Sequence, residues 1–146
     1  MICFPHRLDA YQAESIKCVE NSRNLFLSAH TSAGKTAVAK YLTYHVRSAR
    51  IRMLYVTPYE KLALRKYREL ADEVDSVAYL AGDMDSTVGA EEPSCLVMTV
   101  QVLLARVYRD GGWETMGSFD WIVFDDAQAL GYPGWSIWGG VTGLGF

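Results

Sequence analysis

The stretch Ala29–Thr36, "AHTSAGKT", follows the apolar run "NLFLS" and leads into an amphipathic pattern. A tight turn at the start of a helix aims several backbone N–H groups at one point. That geometry suits the oxygens of a phosphate. Thr31, Ser32, Ala33 and Gly34 supply the turn, and Ala29 holds a first position where the full pattern has Gly. Lys35 would neutralise β- and γ-phosphates, and the Thr36 hydroxyl would ligate Mg²⁺. A triphosphate site of this kind needs a second element, a strand ending in an acid that holds the metal through water. "DWIVFDD" provides one: four apolar residues bury the strand, and Asp125 leaves its C-terminal end, where the ligands of open α/β sheets bind.

The elements that must position these groups alternate along the chain. Asp9 is a predicted N-cap for a helix running to Asn21. Leu25–Ala29 reads as a short buried strand, followed by a helix over Lys35–Ser48. A strand at Arg52–Thr57 ends at Pro58, and a basic helix follows through Leu70. Ser76–Leu80, Ser94–Thr99 and Asp120–Asp126 read as further strands, with a helix over Val100–Tyr108. Apolar strands alternating with amphipathic helices predict an α/β fold, a mainly parallel sheet flanked by helices. Residues 131–146 differ: they hold six of the 12 glycines and two of the four tryptophans, carry no charge and show no period. They are expected to form no domain of their own.

Composition narrows the function classes. With 146 residues, half of them apolar, the chain can build one core, and no stretch approaches the ~18 uninterrupted apolar residues of a membrane span. No signal-peptide layout opens the sequence, so an intracellular setting without membrane is expected. The three cysteines, Cys3, Cys18 and Cys95, have no metal-ligand spacing and read as small buried apolar residues. His6, His30 and His45 share no spacing with acids, which argues against a metal cluster or a nucleophilic triad. A small kinase would use Lys35 and Asp125 too, but needs late arginines, and none follows Arg109. Trp113, Trp121, Trp135 and Trp138 read as packing groups rather than a base-stacking platform. The net charge of −3 is no general attraction for nucleic acid, although seven of the 14 basic residues crowd between Arg47 and Arg68.

In their order and spacing, "FPHRLDAYQAESI", "SAHTSAGKTAVAKY", "LYVTPYEKLALRKYREL", "SCLVMTVQVL" and "WIVFDDAQ" resemble the superfamily-two DExH-box RNA helicases. The similarity is greatest to the exosome-associated branch, which includes the helicases of the TRAMP and Ski complexes. It runs from Phe4 to about Gln128 and implies a P-loop NTPase of RecA-like fold over residues 1–130, truncated after the Walker B strand. The resemblance implies ATP and Mg²⁺ as cofactors, RNA, the exosome and its adaptors as partners, and the nucleus, with the cytoplasm as alternative. Phe4 and Gln12 match the motif that covers and reads adenine. Gln12 also stands at capping-box spacing from Asp9, which competes for the same side chain. Thr57, Pro58, Gly82 and Thr99 match motifs that touch the RNA backbone and so position RNA without reading its sequence. The basic stretch Arg47–Arg68 would join that track.

Several positions depart from the pattern. The Asp-Glu-x-His box reads Asp125, Asp126, Ala127, Gln128. Asp126, which would orient the attacking water, is shorter than Glu by one C–C bond, and a misplacement of about 1 Å can cost on the order of 10²-fold in rate. Metal binding through Asp125 is therefore expected to survive better than hydrolysis. Gln128 replaces the His that connects the nucleotide to the rest of the machine, Glu60 stands where Lys is usual, and Gln101 where Glu is usual. The family's Ser-Ala-Thr strand, which lies between the phosphate-loop strand and the "WIVF" strand, has no counterpart here. A gap in the middle of the sheet is expected, one that "SIWGGVT" would fill poorly because glycines weaken strands.

Overall fold

The computed structural model of the chain describes residues 8–23, 25–26, 35–80, 82, 87–110, 116–125 and 143–145. The elements, in chain order, are α1 (Ala10–Glu20), β1 (Leu25–Phe26), α2 (Lys35–Ala49), β2 (Met53–Thr57), α3 (Glu60–Ala71), β3 (Val77–Leu80), β4 (Thr87–Gly89), β5 (Cys95–Thr99), α4 (Val100–Asp110), β6 (Trp121–Phe124) and β7 (Gly143–Gly145). They form one sheet ordered β1-β7-β6-β2-β5-β3-β4. Every neighbouring pair is parallel except β3 with β4.

The central strands read as continuous apolar runs because helices cover both faces. Residues 53 and 55 of β2, with Val77, Tyr79, Cys95, Val97, Trp121 and Val123, pack against Val19 of α1, Val38, Leu42 and Val46 of α2, and Ala63 and Leu70 of α3. Residues 54 and 56, with Ala78, Leu80, Leu96, Met98 and Ile122, pack against Val102 and Leu103 of α4 and against Met116 and Phe119. Each large aliphatic side chain buried in this way contributes about 1.5–3 kcal/mol. Trp121 lies in the first core, as packing predicts. Trp113, Trp135 and Trp138 lie outside the described residues.

The expected gap in the sheet is corrected by β7. Its backbone pairs Leu25 with Leu144 on one side and Val123 with Leu144 on the other, in parallel register. "SIWGGVT" lies outside the described residues, and the segment that pairs is the "GLG" just beyond it. Unpaired N–H and C=O groups inside a sheet cost more than the weak strand propensity of two glycines, so the backbone demand decides the outcome. The antiparallel edge strand β4 is a further addition. All three of its residues are exposed, so it carries no alternation to betray it.

Candidate functional site

Strands β6, β2 and β5 run parallel and end together. Thr57 is the register partner of Thr99, and Val56 of Phe124, which places Asp125 immediately beyond. Thr57, Thr99 and Asp125, far apart in sequence, therefore share the C-terminal edge of the sheet. Helix α2, which starts at Lys35 after β1, begins at that edge as well. Ala29, Thr31, Ser32, Ala33 and Gly34 lie outside the described residues, as do Phe4, Asp126 and Gln128. So do the side chains of Lys35 and Thr36, whose backbone opens α2.

Asp125 is half-buried, and its backbone N–H donates to the Val56 carbonyl at 2.9 Å. Its Oδ2 accepts a hydrogen bond from the Tyr55 hydroxyl at 2.7 Å. Tyr55 is 4% exposed. Burial, and then the negative charge of Asp125, push the phenol well above its ordinary pKa, so at physiological pH it stays a donor. Tyr55 carries no motif, but β2 and β6 alternate in phase. Tyr55 pairs with Val123, and Asp125 is the next residue on the same face. The alternation signal was present in the sequence; the strand order needed to use it was not.

Gln12 is committed to the start of α1. Its Oε1 accepts from the Asp9 N–H at 2.9 Å, completing a capping box, and its Nε2 donates to the Tyr11 hydroxyl at 3.3 Å. In this rotamer the amide closes the first turn of the helix. The threonine hydroxyls are also turned inward. Thr57, 1% exposed, donates to the Tyr59 carbonyl at 3.2 Å. Thr99, 5% exposed, accepts from the Val102 N–H at 3.4 Å at the start of α4. Pro58 is buried between β2 and α3, and Gly82 is exposed just beyond β3.

Gly82 and Thr99 border an open depression of about 310 Å³ that Glu60, Tyr79, Gln101 and Val102 also line. Glu60 and Gln101, the two positions that depart from the expected motifs, thus come together with Gly82 and Thr99. The Tyr79 hydroxyl donates to Glu60 Oε1 at 3.4 Å, which sets a carboxylate at the rim. A Cβ placed on Gly82 would meet nothing within 4 Å among the described residues, so no described neighbour requires glycine there.

The basic stretch does not form one surface. Arg47 and Arg50 close α2, and Arg52 precedes β2, so all three belong to the N-terminal edge of the sheet. Lys61, Arg65, Lys66 and Arg68 lie on α3. There Glu69 accepts from Lys66 at 2.7 Å and faces Arg65 at 3.6 Å.

Mg²⁺ keeps several waters and takes one or two carboxylates plus the phosphates of its nucleotide, rather than an all-protein cage. Asp125 matches that demand: a single hard oxygen donor with a fixed backbone, at the edge where α2 begins. Among the described residues no group of three or more His, Cys, Asp or Glu could hold an ion by itself. No described helix is long and apolar enough to cross a membrane.

The architecture is that of a RecA-like helicase or ATPase core. It superposes on an ATP-dependent RNA helicase from Sulfolobus tokodaii, described as hypothetical, with a TM-score of 0.65 at 18% identity, over 96% of this chain and 45% of that one. The SWI2/SNF2 ATPase core from Sulfolobus solfataricus, solved with dsDNA, gives 0.59 at 17% identity, over 86% of this chain and 27% of that one. At such identities the likeness establishes the fold alone. Residues 9–136 match the DEAD/DEAH box helicase family, and the chain belongs to it. It is 40% identical over 127 residues to "mRNA transport homolog 4" of Caenorhabditis elegans and 39% identical over 127 residues to "Exosome RNA helicase MTR4" of Homo sapiens. Each match covers 87% of this chain, which spans 12% of the relative's length. The resemblance read from the motifs holds, and family membership implies ATP binding.

Proposed function

We propose that residues 1–130 act as the nucleotide-binding part of an exosome-type RNA helicase, binding ATP with Mg²⁺ and touching the RNA backbone. The observation that carries this reading is the shared edge: α2 opens at Lys35 where β6, β2 and β5 end at Asp125, Thr57 and Thr99. Gly34 and the turn before it would cradle the phosphates, and Lys35 would neutralise them. Thr36 would ligate the metal, and Asp125 would hold it through water. Bound Mg²⁺ supplies charge neutralisation on the β- and γ-oxygens. The depression beside Gly82 and Thr99 would receive RNA backbone, with Glu60 weakening its hold on phosphate by repulsion. Asp126 in the place of Glu makes hydrolysis slow, and this chain by itself would bind nucleotide without unwinding RNA. Partnership with the exosome and a nuclear setting are proposed from the relatives.

A thermal melt with and without Mg-ATP, beside Lys35→Ala, tests the reading. At about 100 times Kd, a ligand that binds only the folded state adds about 2.7 kcal/mol. The melt of the unaltered chain should rise accordingly, and that of Lys35→Ala should not. An equal rise in both, or no rise in either, overturns nucleotide binding at this site. ATP turnover that Lys35→Ala abolishes would overturn the claim of slow hydrolysis while leaving the site in place.

A further inference from the structure

Tyr55 belongs to β2, which is neither the phosphate-loop strand nor the strand of the acid, yet its hydroxyl lies 2.7 Å from Asp125 Oδ2. Its ring is buried in the core beneath α2 and α3. The Lys66 ammonium of α3 sits 5.4 Å from the ring centroid, and Glu69 holds that ammonium at 2.7 Å. A small cavity of about 50 Å³ lies beside the ring, lined among others by Thr43, Tyr55, Lys66 and Glu69. The ring is thus held by its surroundings, and its hydroxyl arrives at the carboxylate from a fixed direction.

We infer that Tyr55 is a positioning residue for the metal site: its hydroxyl fixes the plane of the Asp125 carboxylate and so sets how well that carboxylate receives nucleotide-bound Mg²⁺. The inference rests on the nucleotide site proposed above. A carboxylate on a strand end rotates about two side-chain torsions, and each orientation presents its oxygens differently. A phenol anchored in the core selects one orientation before the metal arrives. Ligating groups are tuned in this way by the partners of their other atoms, and loss of such a partner typically costs 10–100-fold in metal affinity. Lys66 and Glu69 extend the arrangement to α3, the helix that follows the backbone-contact residues Thr57 and Pro58.

The test is the affinity of the full chain for a fluorescent ATP analogue, in excess Mg²⁺ and in EDTA, for the unaltered protein, Tyr55→Phe and Asp125→Asn. Tyr55→Phe keeps the ring and its packing and deletes only the donor. The ratio of the two affinities is taken within each variant, so a change in folded fraction cancels. Tyr55→Phe should lower the gain from Mg²⁺ about 10-fold and leave the EDTA affinity within about twofold. Asp125→Asn should abolish the gain. If Asp125→Asn abolishes it and Tyr55→Phe leaves it intact, or lowers both affinities equally, the positioning role is overturned and the nucleotide site stands. If Asp125→Asn leaves the gain intact, the metal role of Asp125 falls and the positioning role falls with it.

Discussion

The two edges of the sheet are built differently. At the N-terminal edge the Arg52 N–H donates to Asp120 Oδ2 at 2.7 Å, and its guanidinium reaches the Pro93 and Ser118 carbonyls at 3.3 Å while lying 4.7 Å from the Phe119 ring centroid. Ser76 and Ser94 donate to the Glu92 and Ser76 carbonyls. This edge has the larger depression, about 440 Å³, but the polar groups around it are knitted to neighbouring backbone. The C-terminal edge holds the smaller depression, and there a carboxylate, a glycine and an amide line an open space. One edge ties its polar groups to neighbouring backbone, and the other gathers them around an opening, the side of an open α/β sheet on which the proposed site lies.

Two glycines at opposite ends of β3 sharpen the contrast, and the larger effect belongs to the structural one. Gly89 pairs with Ala78 near the start of β3 and has φ of +110°. A Cβ there would collide with the Val77 carbonyl and stand 3.1 Å from both Ala78 Cα and the Tyr67 hydroxyl. Backbone strain of this kind costs on the order of 1–3 kcal/mol, before the collision is counted. Gly89→Ala should lower stability by at least about 2 kcal/mol in urea titration, with nucleotide affinity unchanged once the folded fraction is corrected. A loss below about 0.5 kcal/mol would dissolve the distinction between the two edges.

How much of this was legible follows from where information sits. β2, β5 and β6 could be read because every interior position is apolar, the mark of strands covered on both faces. The Asp9–Gln12 spacing announced the capping box that the structure contains. β4 could not be read, because three exposed residues need no pattern. β7 could not, because its backbone rather than its side chains makes it a strand. Of the proposed site, Lys35 and Asp125 stand out in the sequence through local context, each at a junction of strand with turn or helix. The depression joining Glu60, Gly82, Thr99 and Gln101 needed the register of three strands. The Tyr55–Asp125 bond needed the knowledge that β2 lies beside β6.

Alkaline pH separates the edges again, with a smaller effect. At the N-terminal end of β5, burial pushes the Cys95 thiol up to about 12 from 9.0. Near the other edge, burial and then the Glu60 charge raise Tyr79. The unfolded chain releases these protons near their ordinary values, and the folded chain retains them longer. The folded state thus binds more protons above pH 9. Stability is full below pH 9 and falls as pH rises toward 12, by on the order of 1 kcal/mol per pH unit for each group in its window. Cys95→Ala should flatten the onset near pH 9. Glu60→Gln should leave that onset in place and reduce the later slope only in part, because burial is the larger cause at Tyr79 and the raised phenols of Tyr55 and Tyr41 act in the same range. Melts from pH 8 to 11 read both. Equal slopes in all three proteins would mean that neither group contributes.

The smallest expected change in stability carries the most weight for function. A Cβ on Gly82 would meet no described atom within 4 Å. Gly82→Ala should therefore move stability by no more than about 0.5 kcal/mol, the range of an unremarkable surface substitution. The same methyl group would project into the depression that Thr99 and Gln101 line. If that depression receives RNA backbone, the methyl should weaken binding of a short single-stranded RNA several-fold, uniformly across sequences, because backbone contacts carry no sequence information. Glu60→Lys offers the opposite sign at the same place, replacing a repelling carboxylate with a cation and steepening the salt dependence of binding. Fluorescence anisotropy at two salt concentrations measures both. Weaker binding for Gly82→Ala and stronger binding for Glu60→Lys would mark the depression as the RNA contact. RNA affinity unmoved by either would remove it from the proposed track and leave the C-terminal edge a nucleotide site alone.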